Sequence, residues 1–168
     1  LAKCKRVKLN MLMCYAVVKA ASSFKEFYML PVKDKLMAFD NIAINTIVMT
    51  KEGGINTCDI PFSDDIRQFE ADYLRITALA ERSTEDVVLG DDYMVIGSSA
   101  LTKCELDSVV NVYAGFWNNP FVVWSKYRKK LFRTTLSLSF QFHHTQMDGP
   151  ISTGFLNRLQ EVMNSMEY

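Results

Sequence analysis

The stretch that most constrains this chain runs from Ser137 to Gly149, SLSFQFHHTQMDG. Up to the first histidine it alternates. Leu136, Leu138, Phe140 and Phe142 fall on one side, and Ser137, Ser139, Gln141 and His143 on the other, which is the period of a half-buried β-strand. Carried one residue further, the same parity puts His144 on the apolar side. Loss of solvent there disfavours an imidazolium and leaves a neutral ring able to accept a proton. Asp148-Gly149-Pro150 then reads as a reversal, with a capping carboxylate and a proline suited to a first helical turn. A strand delivers His144 and a helix begins just after it. On spacing alone, two adjacent histidines at a strand end are more often packing and turn residues than catalysts.

The other segments supply layers for this strand to pack on. Leu9 to Ser22 is densely apolar and rich in helix formers, a buried helix. Leu36 to Thr50 divides into two β segments, Gly53-Gly54 makes a turn, and Thr57 to Ile60 is a further short strand. Ser63-Asp64-Asp65 opens a helix to about Arg82, with Ser63 as cap and Ile66, Phe69, Tyr73 and Ile76 at helical spacing. Ser83 to Asp92 is a polar loop, Tyr93 to Ile96 a strand running into Gly97-Ser98-Ser99-Ala100, and Phe121 to Tyr127 another strand. Arg128-Lys129-Lys130 forms an exposed turn, and Ile151, Phe155, Leu159, Val162 and Met166 mark one face of a final helix. Strands mixed with helices in this way predict a layered α/β sandwich.

Composition narrows the functional classes. A chain of 168 residues, 49% of them hydrophobic, can bury one core and suits a single domain over residues 1–168. Lys+Arg and Asp+Glu number 19 each, so no basic field recruits nucleic acid or an anionic membrane. Cys4, Cys14, Cys58 and Cys104 lack any metal-ligand spacing and read as reduced cytoplasmic thiols, with no metal expected. The start, LAKCKRVKLN, is too charged for a signal peptide, and no apolar run is long enough for a membrane span. A first residue of leucine suggests that an N-terminal segment is missing.

The run His-His-Thr-Gln-Met-Asp-Gly resembles the HHxxxDG signature of the coenzyme A-dependent acyltransferases typified by chloramphenicol acetyltransferase. DKLMAFDNI, SDDIRQFEADYL, PFVVWSKY and FLNRLQEVMNS resemble further stretches of that family, in the right order from about Lys8 to the C-terminus. The resemblance implies a two-layer sandwich of a mixed, largely antiparallel sheet with helices on one face. It also implies acetyl-CoA as acyl donor, a small-molecule hydroxyl acceptor, and a homotrimer whose active sites lie between subunits. The second histidine, His144, would be the general base, and base catalysis of this kind typically contributes about a hundred- to ten-thousandfold in rate. Ser99, in Ser99-Ala100-Leu101, would donate to the tetrahedral oxyanion, with Ser98 as the fallback. Asp148 would give structural support by pairing with an arginine that lies before Leu1, and can cap the helix as well. Lys8, Lys126 and Tyr127 match positions along the coenzyme channel.

The chain departs from the family at several points. Thr102-Lys103 stands where a Pro-Trp pair is usual, Val123 replaces a threonine, Gly97 replaces an asparagine, and Pro150-Ile151 follows the Asp-Gly turn. These differences bear on the acceptor. A dihydrolipoyl acyltransferase-like enzyme and a non-catalytic relative serving as an interaction module are the alternatives, while a condensation domain is far longer.

Overall fold

A computed structural model describes residues 8–110, 117–129, 131 and 133–167. The apolar N-terminal stretch is helix α1, Leu9–Ala21, in which ten residues from Met11 to Ala21 are buried. A single 3-10 turn at Lys25–Tyr28 follows, with Phe27 inserted into the core. Strands β1, Met29–Val32, and β2, Lys35–Ala38, form a two-stranded hairpin whose turn holds Lys33 at φ 55°. Neither the 3-10 turn nor β1 is foreseen from the sequence, because Pro31 and the charged Lys33-Asp34-Lys35 break up any periodicity.

Strands β3, Asn41–Met49, and β4, Ile55–Pro61, make the next hairpin, with Gly53 at φ 86° in its turn. Only a residue without a Cβ takes that backbone geometry at low cost. Helix α2 spans Ile66–Ala80. Its cap is Asp65, whose carboxylate accepts from Arg67 N, and not Ser63. The Ser63 hydroxyl bonds one step earlier, to Asp65 N. The polar segment after α2 is a loop touching the sheet through a bridge between Cys58 and Val87.

Strand β5 runs without interruption over Tyr93–Leu101, so Gly97 to Ala100 belongs to it. Strand β6 is Phe121–Ser125 and stops before Lys126. Arg128 and Lys129 form a minimal strand β7 paired with β8, Thr134–Thr135, in place of a simple exposed turn. Lys130 lies outside the described residues. Strand β9 is Leu138–Gln141, and helix α3, Gly149–Ser165, closes the described chain with Pro150 in its first turn.

Five strands assemble in the order β4-β3-β5-β6-β9. The two inner pairings, β3 with β5 and β5 with β6, are parallel, while the two outer ones are antiparallel. With the two hairpins β1-β2 and β7-β8 included, the sheet material is mixed and largely antiparallel, as expected. One face is covered by helices. Ile42 and Ile44 of β3, Cys58 and Ile60 of β4, Met94 and Ile96 of β5, and Val122 and Trp124 of β6 join helix residues such as Val17, Phe69 and Phe155 in one core. Burying side chains of this size removes about 1.5–3 kcal/mol each from contact with water, which is what holds the layers together.

Candidate active site

The histidine motif begins where the sheet ends. Strand β9 pairs with β6 as far as Gln141 opposite Phe121. Beyond it the chain bends: Gln146 N donates to His143 O at 2.9 Å, and Thr145 N donates to His143 Nδ1 at 3.1 Å. His144 therefore sits in a turn and is exposed, rather than buried on the apolar side of a strand. Parity does not survive the turn. The residues before it do obey the alternation. Leu136, Leu138, Phe140 and Phe142 pack on the helix-side core.

An aromatic cluster anchors the turn from below. Phe140 lies 4.7 Å from Phe155 of α3 and 6.0 Å from Phe27 of the 3-10 turn, and Phe27 lies 4.8 Å from Phe155. These ring contacts tie strand, turn and helix into one block. Asp148 caps α3, accepting from Ile151 N at 3.1 Å. No ion pair involves it among the described residues.

The two candidate serines point opposite ways from β5. Ser98 is buried on the helix side and donates to Asn45 O at 2.6 Å, so its hydroxyl is already committed to holding β3 against β5. Ser99 faces the side of the sheet that carries no helix. It stands directly across from Val123, which in turn stands across from Ser139. Ser99 keeps its hydroxyl free of any side-chain hydrogen bond among the described residues, a state suited to receiving a developing oxyanion.

Ser99 and His144 are not brought together within one chain. Two strand spacings of about 4.8 Å separate Ser99 from Ser139, and His144 lies five residues further on, toward the Phe121 end of the sheet. Groups that act on one reacting carbon must converge to about 3 Å from it.

The coenzyme candidates lie in or beside a separate cavity. A cavity of about 1010 Å³ opens between α1, α3 and the β7-β8 hairpin, with Leu12, Met13, Leu159 and Met163 among its apolar walls and Tyr127 and Leu9 also lining it. Lys8 and Lys126 are exposed and immediately precede Leu9 and Tyr127. Arg128 pairs with Glu105 at 3.1 Å and Asp107 at 3.4 Å, while Lys126 N donates to Cys104 O. These contacts fix the loop beside Lys126. His144 does not line that cavity. A smaller depression of about 310 Å³ follows the rim of β9 past Ser139, Gln141 and Phe142.

The chloramphenicol acetyltransferase family profile matches residues 1–160. The chain belongs to the chloramphenicol acetyltransferase family. It is 30% identical to chloramphenicol acetyltransferase 3 of Escherichia coli over 164 residues, which is 94% of this chain and 76% of that protein. A solved chloramphenicol acetyltransferase matches with a TM-score of 0.79 and 21% identity, over 95% of this chain and 79% of that one. The same fold occurs in the Azotobacter vinelandii dihydrolipoamide acetyltransferase, a structure concerned with the roles of a serine, a histidine and an asparagine in catalysis. There the TM-score is 0.72 and the identity 16%, over 94% of this chain and 69% of that one. It occurs again in the cubic core of a pyruvate dehydrogenase multienzyme complex, with a TM-score of 0.70 and 15% identity over 94% and 69% of the two chains. The protein is accordingly an acyltransferase of this family.

Sequence reasoning missed two features of the site. The first is Phe121, whose ring lies so close over Gly97 that a Cβ there would stand 2.3 Å from it. The second is Gln146, which sits inside the motif but contacts backbone more than a hundred residues away. Neither produces a periodic signal, since each depends on a partner distant in sequence. Among the described residues no group of His, Cys, Asp and Glu could hold a metal, and no helix is long and apolar enough to cross a membrane.

Proposed function

We propose that the protein transfers an acetyl group from acetyl-CoA to the hydroxyl of a small molecule, with His144 of one protomer and Ser99 of its neighbour meeting in a homotrimer. The observation that carries this reading is the placement of the two residues. His144 projects from an exposed turn beyond the sheet, Ser99 lies on the sheet face that no helix covers, and the strand register keeps them apart within one chain. A second copy offers the way to bring both to one carbon.

In that arrangement His144 takes the proton from the acceptor hydroxyl as its oxygen attacks the thioester carbonyl. The carbonyl becomes a tetrahedral oxyanion, to which the Ser99 hydroxyl donates. Collapse breaks the carbon–sulfur bond and releases the coenzyme thiolate, which regains a proton from the His144 imidazolium. Enclosure by the neighbouring protomer would exclude water from the reacting atoms around the exposed turn. Asp148 supports the turn as the cap of α3. Lys8 and Lys126 would meet the phosphates of coenzyme A, and Tyr127 its adenine, at the mouth of the large cavity.

The test is release of free coenzyme thiol from acetyl-CoA with chloramphenicol as acceptor. Turnover is expected, falling about a hundred- to ten-thousandfold in His144→Ala and about a hundredfold in Ser99→Ala. Undiminished turnover in His144→Ala would refute the assignment of the base. Turnover with dihydrolipoamide and none with chloramphenicol would place the chain with the dihydrolipoamide acetyltransferases instead.

A further inference from the structure

Gln146 occupies a middle position of the histidine motif, yet its side chain does not face solvent with the rest of the turn. It is 4% exposed. Its amide nitrogen donates to Glu26 O at 3.2 Å and to Met29 O at 2.5 Å, the two ends of the link between the 3-10 turn and β1. Its amide oxygen is buried and has no donor among the described residues.

This is an uneconomical way to fill a hole. A buried acceptor without a partner is unfavourable, and an apolar side chain would pack the same space without that penalty. What the amide adds is direction. Two donated hydrogen bonds to fixed backbone oxygens allow the side chain one orientation, whereas apolar packing permits several. The backbone of Gln146 is fixed at the same time, because its N–H donates to His143 O. Thr145 N is held by His143 Nδ1, and Met147, next in the chain, is 4% exposed. His144 and Thr145 are the exposed side chains of the turn, and of the two the imidazole carries the acid-base chemistry.

We infer that Gln146 is a positioning residue, a clamp that locks the His143–Met147 turn against the Glu26–Met29 segment so that His144 leaves it in a single direction. The inference rests on the proposed role of His144 for its bearing on catalysis, but the orientation itself can be read without substrate.

The test compares wild type with Gln146→Met, which keeps the length and removes both donors, and Gln146→Asn, which keeps an amide too short to reach both carbonyls. The ring Cε1–Hε1 resonance of His144, assigned through His144→Ala, is expected as one sharp signal in wild type and as split or broadened signals in both variants. With chloramphenicol as acceptor, kcat per folded molecule should fall about ten- to a hundredfold while KM for acetyl-CoA stays within about twofold, the pattern of a misaligned base and an intact coenzyme site. An unchanged His144 resonance with unchanged kcat, and only a lower melting temperature, would overturn the inference and leave Gln146 a stabilising residue. Activity that survives His144→Ala would sink the role of the base. The resonance comparison would still decide whether Gln146 orients the turn.

Discussion

Cys14 lies wholly inside the core, with its sulfur 4.0 Å from the Ser98 hydroxyl. Burial pushes its thiol up to about 12, and the hydrogen bonds from Thr46 and Ser98 pull only weakly the other way. Burial, reinforced by the negative charges of Asp59 and Asp86, likewise pushes Cys58 to about 12. Both folded values lie above the ordinary value of 9.0. The stabilisation from keeping the thiols neutral is therefore complete below about pH 9 and drains away as pH rises toward 12, by about 1.4 kcal/mol per pH unit for each thiol. The urea midpoint should fall between pH 9 and 11 in wild type and fall less steeply in Cys14→Ala. Equal slopes in the two proteins would show that Cys14 is not buried as described. At this scale the site was legible only through the motif. The run His-His-Thr-Gln-Met-Asp-Gly marked His144 and Asp148, but its wrong burial came from extending parity across a turn that is made by the ring nitrogen of His143. The choice of Ser99 over Ser98 is supported by the helix-side burial of Ser98, a fact about packing that no short stretch of sequence contains.

At the scale of the elements, one unusual residue, Gly97, has a packing explanation. Phe121 begins β6 directly opposite Gly97 of β5, and its ring fills the space that a side chain at position 97 would need. Gly97 is there because Phe121 is, and the pair should be judged together. Gly97→Ala forces the ring aside and should destabilise by about 1–3 kcal/mol. Phe121→Ile makes room, so the double substitution should recover much of that loss, a coupling that thermal denaturation of the four proteins reads directly. Strict additivity would mean that the ring does not lie over Gly97. Long elements with strong periods were readable: α1 from its apolar density, α2 from Phe69, Tyr73 and Ile76, and α3 from Phe155, Leu159 and Val162. The hairpin of β1 and β2 was only half found. Strand β2 was read from Leu36 onward, whereas β1 is four residues long, carries Pro31 and runs into Lys33-Asp34-Lys35, so no alternation marks it.

At the scale of the whole molecule, the proposed function requires that a single chain hold only half of each site. The helix layer seals one face of the sheet, and the other face carries Ser99 with apolar neighbours such as Ile47, Met49 and Ile55 exposed at 42%, 70% and 68%. Apolar residues left facing water along a sheet are a reason for copies to associate. A cyclic trimer would repeat the same contact three times, giving each His144 turn a neighbouring sheet face. The most direct measurement of this claim is subunit complementation. His144→Ala and Ser99→Ala chains, each severely impaired alone, are co-expressed with different tags, and assemblies carrying both tags are assayed for acetyl transfer. In a cyclic trimer with sites between protomers, every assembly carrying both tags regenerates an intact pair at one interface of its three, so activity should rise well above the sum of the parents, to about a third of wild type. Mixed assemblies no more active than that sum would contradict a site shared between protomers.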